Sequence, residues 1–243
     1  MSALNLIFLG TAGCGKSTMT SSFGKWLEKE LGMKTLYVNL DPGCEQLPYQ
    51  PDFDVRNYFT ITELMRREGL GPNGAMIRAC ELMESKIPEF ALEINRLGGE
   101  VRLLDTPGQM EVFLFHGGPE MAKLVEGFTV CLFLMDAKLV LQSFGSTLVR
   151  LLGLSVGLRM GIPTVSILNK IDLIERREEL ERLLAVPAFG TGVLSDLTGS
   201  LSQLLLQFLP PARILKTSAI SGEGFKEMYD LIHETRCACG DLT

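Results

Sequence analysis

The segment Gly10-Thr11-Ala12-Gly13-Cys14-Gly15-Lys16-Ser17 sets Gly10 and Gly15 with four residues between them and follows the second with a lysine and a hydroxyl. Glycines let a backbone curl until its N–H groups converge, and converging N–H groups bind phosphate oxygens. An apolar run, Leu4–Leu9, precedes the loop and a helical pattern follows it, so the positive end of a helix adds to the same anion site. In that setting Gly13, Cys14, Gly15, Lys16, Ser17 and Thr18 are expected to hold the phosphates of a nucleoside triphosphate. Lys16 would reach the β- and γ-phosphates, and the Ser17 hydroxyl would ligate Mg2+.

Two carboxylates end other apolar runs. Asp105-Thr106-Pro107-Gly108-Gln109 follows Val101–Leu104, and Asp41-Pro42-Gly43 follows Thr35–Leu40. Ligands of α/β folds bind at the carboxyl ends of the strands, which is where both acids fall. Asp105 is expected to support Mg2+, directly or through water. Asp41 would hold a metal-bound water or polarise the attacking one. The Gly108 N–H would approach the γ-phosphate, and the Gln109 amide would orient water. The metal candidates are therefore Ser17, Asp41 and Asp105.

Asn169-Lys170-Ile171-Asp172 follows the run Thr164–Leu168 and fits N-K-x-D. Guanine presents N1–H and its N2 amino group side by side, and one carboxylate, that of Asp172, can accept from both. Adenine has neither donor there and would leave a buried carboxylate unpaired, which discriminates strongly. Asn169 would tie this loop to the phosphate loop, and the Lys170 stem would cover a base face. Thr217-Ser218-Ala219 follows the last apolar run, Arg213–Lys216. Ser218 and Ala219 complete the base candidates, through a backbone N–H given to guanine O6.

Positioning these groups requires a sheet. Several runs are apolar on successive residues, the pattern of strands buried on both faces, and a sixth, Thr129–Met135, joins those already named. Helical patterns separate them, which predicts a mainly parallel sheet with helices on both faces. The first helix carries Met19, Phe23, Trp26, Leu27 and Leu31 at helical spacing and stops at Gly32. Lys138–Met160 reads as one helical stretch, apolar nearly all round. An insertion, about 52–98, is expected to hold three short helices, about Thr62–Glu68, Ala75–Glu84 and from Pro88 to Leu97. Ala185–Gly199 reads as irregular, and the last helix ends at about Glu234.

The 243 residues suit a single domain, 1–243. A hydrophobic fraction of 46%, a charged fraction of 21% and a net charge of −6 match a soluble protein and give no support to direct nucleic-acid or anionic-membrane binding. Thr129–Leu141 is broken by Asp136 and Lys138 and cannot span a bilayer. The six cysteines form no C-x-x-C pair; free thiols suit a reducing, cytoplasmic setting. Cys237 and Cys239 read as incidental thiols on a frayed tail.

These motifs in this order resemble the P-loop GTPases. Gly71-Pro72-Asn73, inside the insertion, together with Asp41-Pro42-Gly43 and the Asp105–Gln109 run, is similar to the GPN-loop GTPases of archaea and eukaryotes. The long path from Leu40 to Val101 suits a parallel crossover, as in the dimeric SIMIBI branch. The resemblance covers essentially the whole chain. It implies a three-layer P-loop NTPase fold with a helical insertion carrying the GPN loop. It also implies Mg2+-dependent hydrolysis of GTP to GDP and phosphate, in a homodimer whose sites face each other, with Asn73 acting in the partner's site. With Lys16, Asp41, Asp105 and Gln109, Asn73 completes the catalytic candidates. By resemblance the chain would be a nucleotide-driven switch with a protein client, in assembly of RNA polymerase or other complexes, and Lys138–Met160 would be a client surface or a dimer or core element. The compact length is that of the archaeal form. Two alternatives belong to other classes. A metal-insertion GTPase needs a His/Cys cluster, whereas His116 and His233 are the only histidines. A P-loop kinase of a small-molecule or polynucleotide acceptor needs an Arg-rich lid and lacks N-K-x-D, whereas Arg176–Arg182 reads as a solvated helix face.

Overall fold

All seven residues of Leu4–Gly10 are buried, so this strand has helices against both its faces. The computed structural model describes residues 3–185, 193–208 and 214–240. Among them, seven strands form one parallel sheet in the order β3-β2-β4-β1-β5-β6-β7. They are β1 (Leu4–Gly10), β2 (Thr35–Asn39), β3 (Phe53–Asp54), β4 (Val101–Asp105), β5 (Phe128–Asp136), β6 (Thr164–Asn169) and β7 (Ile214–Lys216). β2 and β4 pair in parallel, Thr35 opposite Val101 and Asn39 opposite Asp105, which is the crossover that the long insertion predicts. Six strands match the apolar runs; Arg213, read as the start of the last one, lies outside the described residues. The sequence does not predict β3, because two residues carry no period.

Side chains alternate between two cores. Ile7 and Leu9 of β1 pack in one with α2 (Ile61–Glu68), α3 (Pro72–Arg96), α4 (Met110–Phe115), α5 (Gly118–Leu124), α6 (Gly145–Met160) and α7 (Arg177–Ala185). Leu6 and Phe8 pack in the other with α1 (Lys16–Leu31) and α9 (Phe225–Gly240). A further helix, α8 (Val193–Phe208), lies between α7 and β7 in the chain. The result is the three-layer α/β architecture expected.

Several boundaries differ from the sequence reading. The insertion holds α2 and a single 25-residue α3 instead of two helices meeting at Pro88. Pro88 has no N–H and frees the Glu84 carbonyl, but both residues are exposed, so water serves that group. Met83, Ile87, Phe90 and Ala91 carry one buried stripe past the proline. Their burial outweighs a proline cost of about 3 kcal/mol. The stretch Lys138–Met160 is likewise not one helix. A 3-10 turn over Ala137–Leu141 ends before α6, with Phe144 at φ 60. Gly145 follows, where a Cβ would lie 2.0 Å from the Leu139 carbonyl oxygen, so only glycine allows the break. Of the span Ala185–Gly199, residues 186–192 lie outside the described residues, and Val193–Gly199 is helical. α9 runs past Glu234 to Gly240, which places Cys237 on an exposed helical turn rather than a frayed tail; the Cys239 side chain lies outside the described set. No helix among the described residues is long and apolar enough to cross a membrane.

Candidate functional site

The parallel strands deliver their C-terminal ends to one edge, and the motif residues lie along it. Gly13 and Gly15 take φ +74 and +93, left-handed backbone that side chains resist. Gly15 is also crowded, since a Cβ there would lie 2.7 Å from Asn169 Nδ2. It caps α1 without any side-chain acceptor, so the first N–H groups of α1 stay open to the loop. Lys16 is 6% exposed, and its ammonium donates to the Gly10 and Thr11 carbonyls at 3.0 and 3.4 Å. Cys14 is buried, which pushes its thiol pKa up, so this thiol is an inert part of the loop. Ser17 and Thr18 occupy the first turn of α1, Ser17 half-buried and Thr18 exposed.

Asp105 ends β4 and is 1% exposed. Its Oδ2 accepts from the Tyr49 hydroxyl at 2.8 Å, while Oδ1 is buried without a hydrogen-bond partner. Burial pushes this carboxyl up to about 6, against the neighbouring Ser17 hydroxyl, Tyr49 and Lys16. An orphaned buried carboxylate oxygen beside a serine hydroxyl fits a hard divalent cation. Mg2+ is usually held by one or two carboxylates together with phosphate and water, not by an all-protein cage. Among the described residues no group of three His, Cys, Asp or Glu forms such a cage.

Asp41 follows β2. Its Oδ1 accepts from the Gly43 N–H at 2.8 Å and its Oδ2 from the Gly108 N–H at 3.2 Å. Burial raises its pKa, opposed by those two bonds and by Lys16. Asn39 braces the turn: its Oδ1 accepts from the Asp41 N–H at 3.1 Å, and its Nδ2 donates to Asp54 Oδ1 at 2.9 Å. Arg56 grips the same Asp54 carboxylate through Nε and Nη2 and donates from Nη1 to the Cys44 carbonyl at 3.1 Å. Sequence reasoning missed Asn39, Asp54 and Arg56, which act through β3. It also missed Tyr49, whose only signal is that a buried carboxylate needs a donor.

Asn169, 1% exposed, joins three loops. Its Nδ2 donates to the Cys14 carbonyl at 2.9 Å, and its Oδ1 accepts from the Ala219 N–H at 3.0 Å. Lys170 takes φ 67, and its ammonium reaches Asp136 Oδ2 at 2.9 Å, so its stem passes beside Gly15. Asp136 ends β5, the same strand-end position as Asp105, a signal the sequence analysis left unused. Two expectations change here. Asp172 is exposed rather than buried, so it would be desolvated by the base itself. The amides of Thr217, Ser218 and Ala219 already donate to the Leu168 carbonyl, the Glu223 carbonyl and Asn169. A guanine O6 placed there would share the Ala219 N–H with Asn169. Ser218 is fully buried, and its hydroxyl accepts from the Ile220 and Ser221 amides, so it shapes the turn instead of facing a ligand.

Asn73 lies at the start of α3, just after Pro72, and is exposed. It shares a surface depression with Gln109, and the depression also takes in Ile77, Phe115 and His116. Ile77 and Phe115 are 62% and 56% exposed. Asn73 and Gln109 thus open onto one exposed surface.

A buried lysine in a glycine loop, a buried strand-end carboxylate with one unpaired oxygen and an N-K-x-D loop hydrogen-bonded to the glycine loop define a P-loop nucleotide-binding protein of the GTPase class. Comparison with known proteins narrows this. A family model described as "Conserved hypothetical ATP binding protein" matches residues 8–238. The GPN-loop GTPase PAB0955 of Pyrococcus abyssi is 37% identical over 98% of this chain and 99% of its own. GPN-loop GTPase 1 of Dictyostelium discoideum is 29% identical over 94% of this chain, which spans 60% of that longer protein. The crystal structure of PAB0955, a GTPase in apo form, superposes with a TM-score of 0.86 over 97% of this chain and 98% of that one, at 34% identity. The chain belongs to the GPN-loop GTPases. The family model's description speaks of ATP, whereas the relatives' names speak of GTP, the nucleotide that the N-K-x-D sequence leads one to expect.

Proposed function

We propose that this chain hydrolyses GTP to GDP and phosphate with Mg2+, as one half of a homodimeric switch. The observation that carries the reading is the Asn169 side chain, which binds the phosphate loop through Cys14 and the base loop through Ala219. A site so joined reads base and phosphates together. Asp172 stands open beside it to accept from guanine. When bound, Mg2+ would draw charge from the β- and γ-phosphates, held by Ser17 and Asp105. Lys16 would leave the Gly10 and Thr11 carbonyls for phosphate oxygens. Asp41 would take a proton from, or orient, the attacking water, since burial weakens it as an acid and its Oδ2 can exchange the Gly108 N–H for water.

The homodimer is supported by what one chain leaves undone. Asn73 and Gln109 sit on an exposed depression flanked by the exposed apolar side chains of Ile77 and Phe115. A second copy applied there would bring Asn73 to a γ-phosphate and cover those apolar side chains. The assembly role, with RNA polymerase or another complex as client, rests on the family resemblance. Phosphate release from GTP and from ATP, each with and without Mg2+, tests the central reading. Equal rates on ATP, or phosphate passed to an acceptor instead of water, would displace it in favour of a P-loop kinase.

A further inference from the structure

Tyr49 is the one side chain from the β2–β3 loop that touches the metal carboxylate. Its hydroxyl donates to Asp105 Oδ2 at 2.8 Å. Three contacts keep it there. Its ring stacks on Tyr37 of β2 with centroids 5.1 Å apart and planes at 20°. The Ser21 hydroxyl of α1 donates to the Pro48 carbonyl at 2.9 Å, one residue before it. Asp52 closes the loop behind it, accepting from the Tyr37 N–H and donating its own N–H to the Tyr37 carbonyl, both at 2.8 Å.

A carboxylate with two equivalent free oxygens can rotate between them. A fixed donor on Oδ2 sets the orientation of the carboxylate and leaves Oδ1, the buried atom without a hydrogen-bond partner, as the better-placed oxygen for a cation. We propose that Tyr49 is the positioning residue of the Mg2+ site: its hydroxyl fixes Asp105 so that one oxygen is presented to the cation beside Ser17. Groups that orient a ligand in this way typically govern metal affinity by about 10- to 100-fold without touching the metal. The loop between β2 and β3 also carries Asp41, so the same contact couples metal occupancy to the loop that handles water.

The inference rests on the Mg2+ role assigned to Asp105 above, and the experiment separates the two. Release of N-methylanthraniloyl-GDP is followed by fluorescence as Mg2+ alone is titrated. Tyr49→Phe keeps the ring and its stack on Tyr37 and removes only the hydroxyl. The expected result is that the Mg2+ concentration for half-maximal slowing of release rises by about 10- to 100-fold, while release without Mg2+ is unchanged. Ser21→Ala loosens one tether but leaves the Tyr49 hydroxyl and its stack on Tyr37 in place, and should move that midpoint far less than Tyr49→Phe. An unmoved midpoint in Tyr49→Phe overturns the inference. So does an equal shift in Ser21→Ala, which would make Tyr49 one tether of the loop among others. If the wild-type chain shows no Mg2+ effect on release, the metal role of Asp105 falls, and this inference with it.

Discussion

The Gly108 N–H donates to Asp41 Oδ2 at 3.2 Å, joining the turn after β4 to the turn after β2 across the mouth of the phosphate loop. The expected partner of that N–H is a γ-phosphate oxygen, and one N–H serves one strong acceptor at a time. GTP would therefore release Asp41 by taking Gly108, and phosphate departure would restore the link. This would give the proposed switch a local cause: two turns bonded to each other without a γ-phosphate would exchange that bond for the phosphate when it is present.

Gly108→Ala tests that exchange. Gly108 is not in the left-handed region, and a Cβ would come no nearer than 4.0 Å to Asp41 Oδ2, so the variant should fold normally and hold GDP as before. The added methyl stands where the γ-phosphate must approach. Hydrolysis of GTP should fall by roughly 10- to 100-fold, a loss of the size seen when one transition-state donor is displaced. Single-turnover phosphate release, read beside GDP affinity, checks it. An unchanged rate would place the γ-phosphate elsewhere.

Asp105→Asn should stabilise the nucleotide-free protein at neutral pH. The folded-state value near 6 stands above the ordinary 3.8 because the buried carboxylate is costly to ionise. The folded chain thus binds more protons than the unfolded one between those values, and wild-type stability falls as pH rises through that window. Above about pH 6 the difference of about 2 units corresponds to roughly 3 kcal/mol, which the amide avoids; near pH 4 the advantage disappears. Urea unfolding at pH 8 and near pH 4 measures it. A variant less stable at pH 8 would mean that the Asp105 charge is better compensated than its orphaned Oδ1 suggests. The same variant should lose the response of GDP release to Mg2+.

How much of this was readable beforehand depends on range. Phosphate, metal and base motifs announce themselves because each needs particular residue types at the end of a buried strand, and six apolar runs mark those ends. The parallel crossover follows from the length of chain between Leu40 and Val101. Tertiary context decided the rest. Pro88 stays inside α3 because Met83, Ile87, Phe90 and Ala91 share one buried face. The break before α6 depends on Gly145 lying under the Leu139 carbonyl, which no local pattern signals. The engagement of the Ala219 amide by Asn169 could not be foreseen from a tripeptide. Tyr49 reaches Asp105 across 56 positions of sequence.

Asp172→Asn should change the preferred base. The carboxylate is exposed, with Arg177 near enough to feel its charge, so the exchange alters recognition more than folding. Guanine would lose two hydrogen bonds to a charged acceptor, each worth about 1.5–3 kcal/mol. GTP affinity should fall by at least about 100-fold. Xanthosine triphosphate offers an acceptor where guanine has its amino group and should now bind better than GTP. Competition of both nucleotides against labelled GDP reads the order directly. An unchanged preference would remove Asp172 from the base site.

Complementation between two defective chains tests the composite site. Asn73→Ala keeps its own phosphate loop and lacks the donated amide, whereas Lys16→Ala has a disabled loop and an intact Asn73. Each alone should hydrolyse GTP slowly. If Asn73 acts across the dimer, mixing equal amounts restores activity, because a mixed dimer contains one site with a working Lys16 and a partner's Asn73. Random pairing makes half the dimers mixed, each with one complete site, so recovery should approach about a quarter of the wild-type rate. Recovery that fails to appear, in a mixture shown by light scattering to contain dimers, would mean that Asn73 serves its own chain.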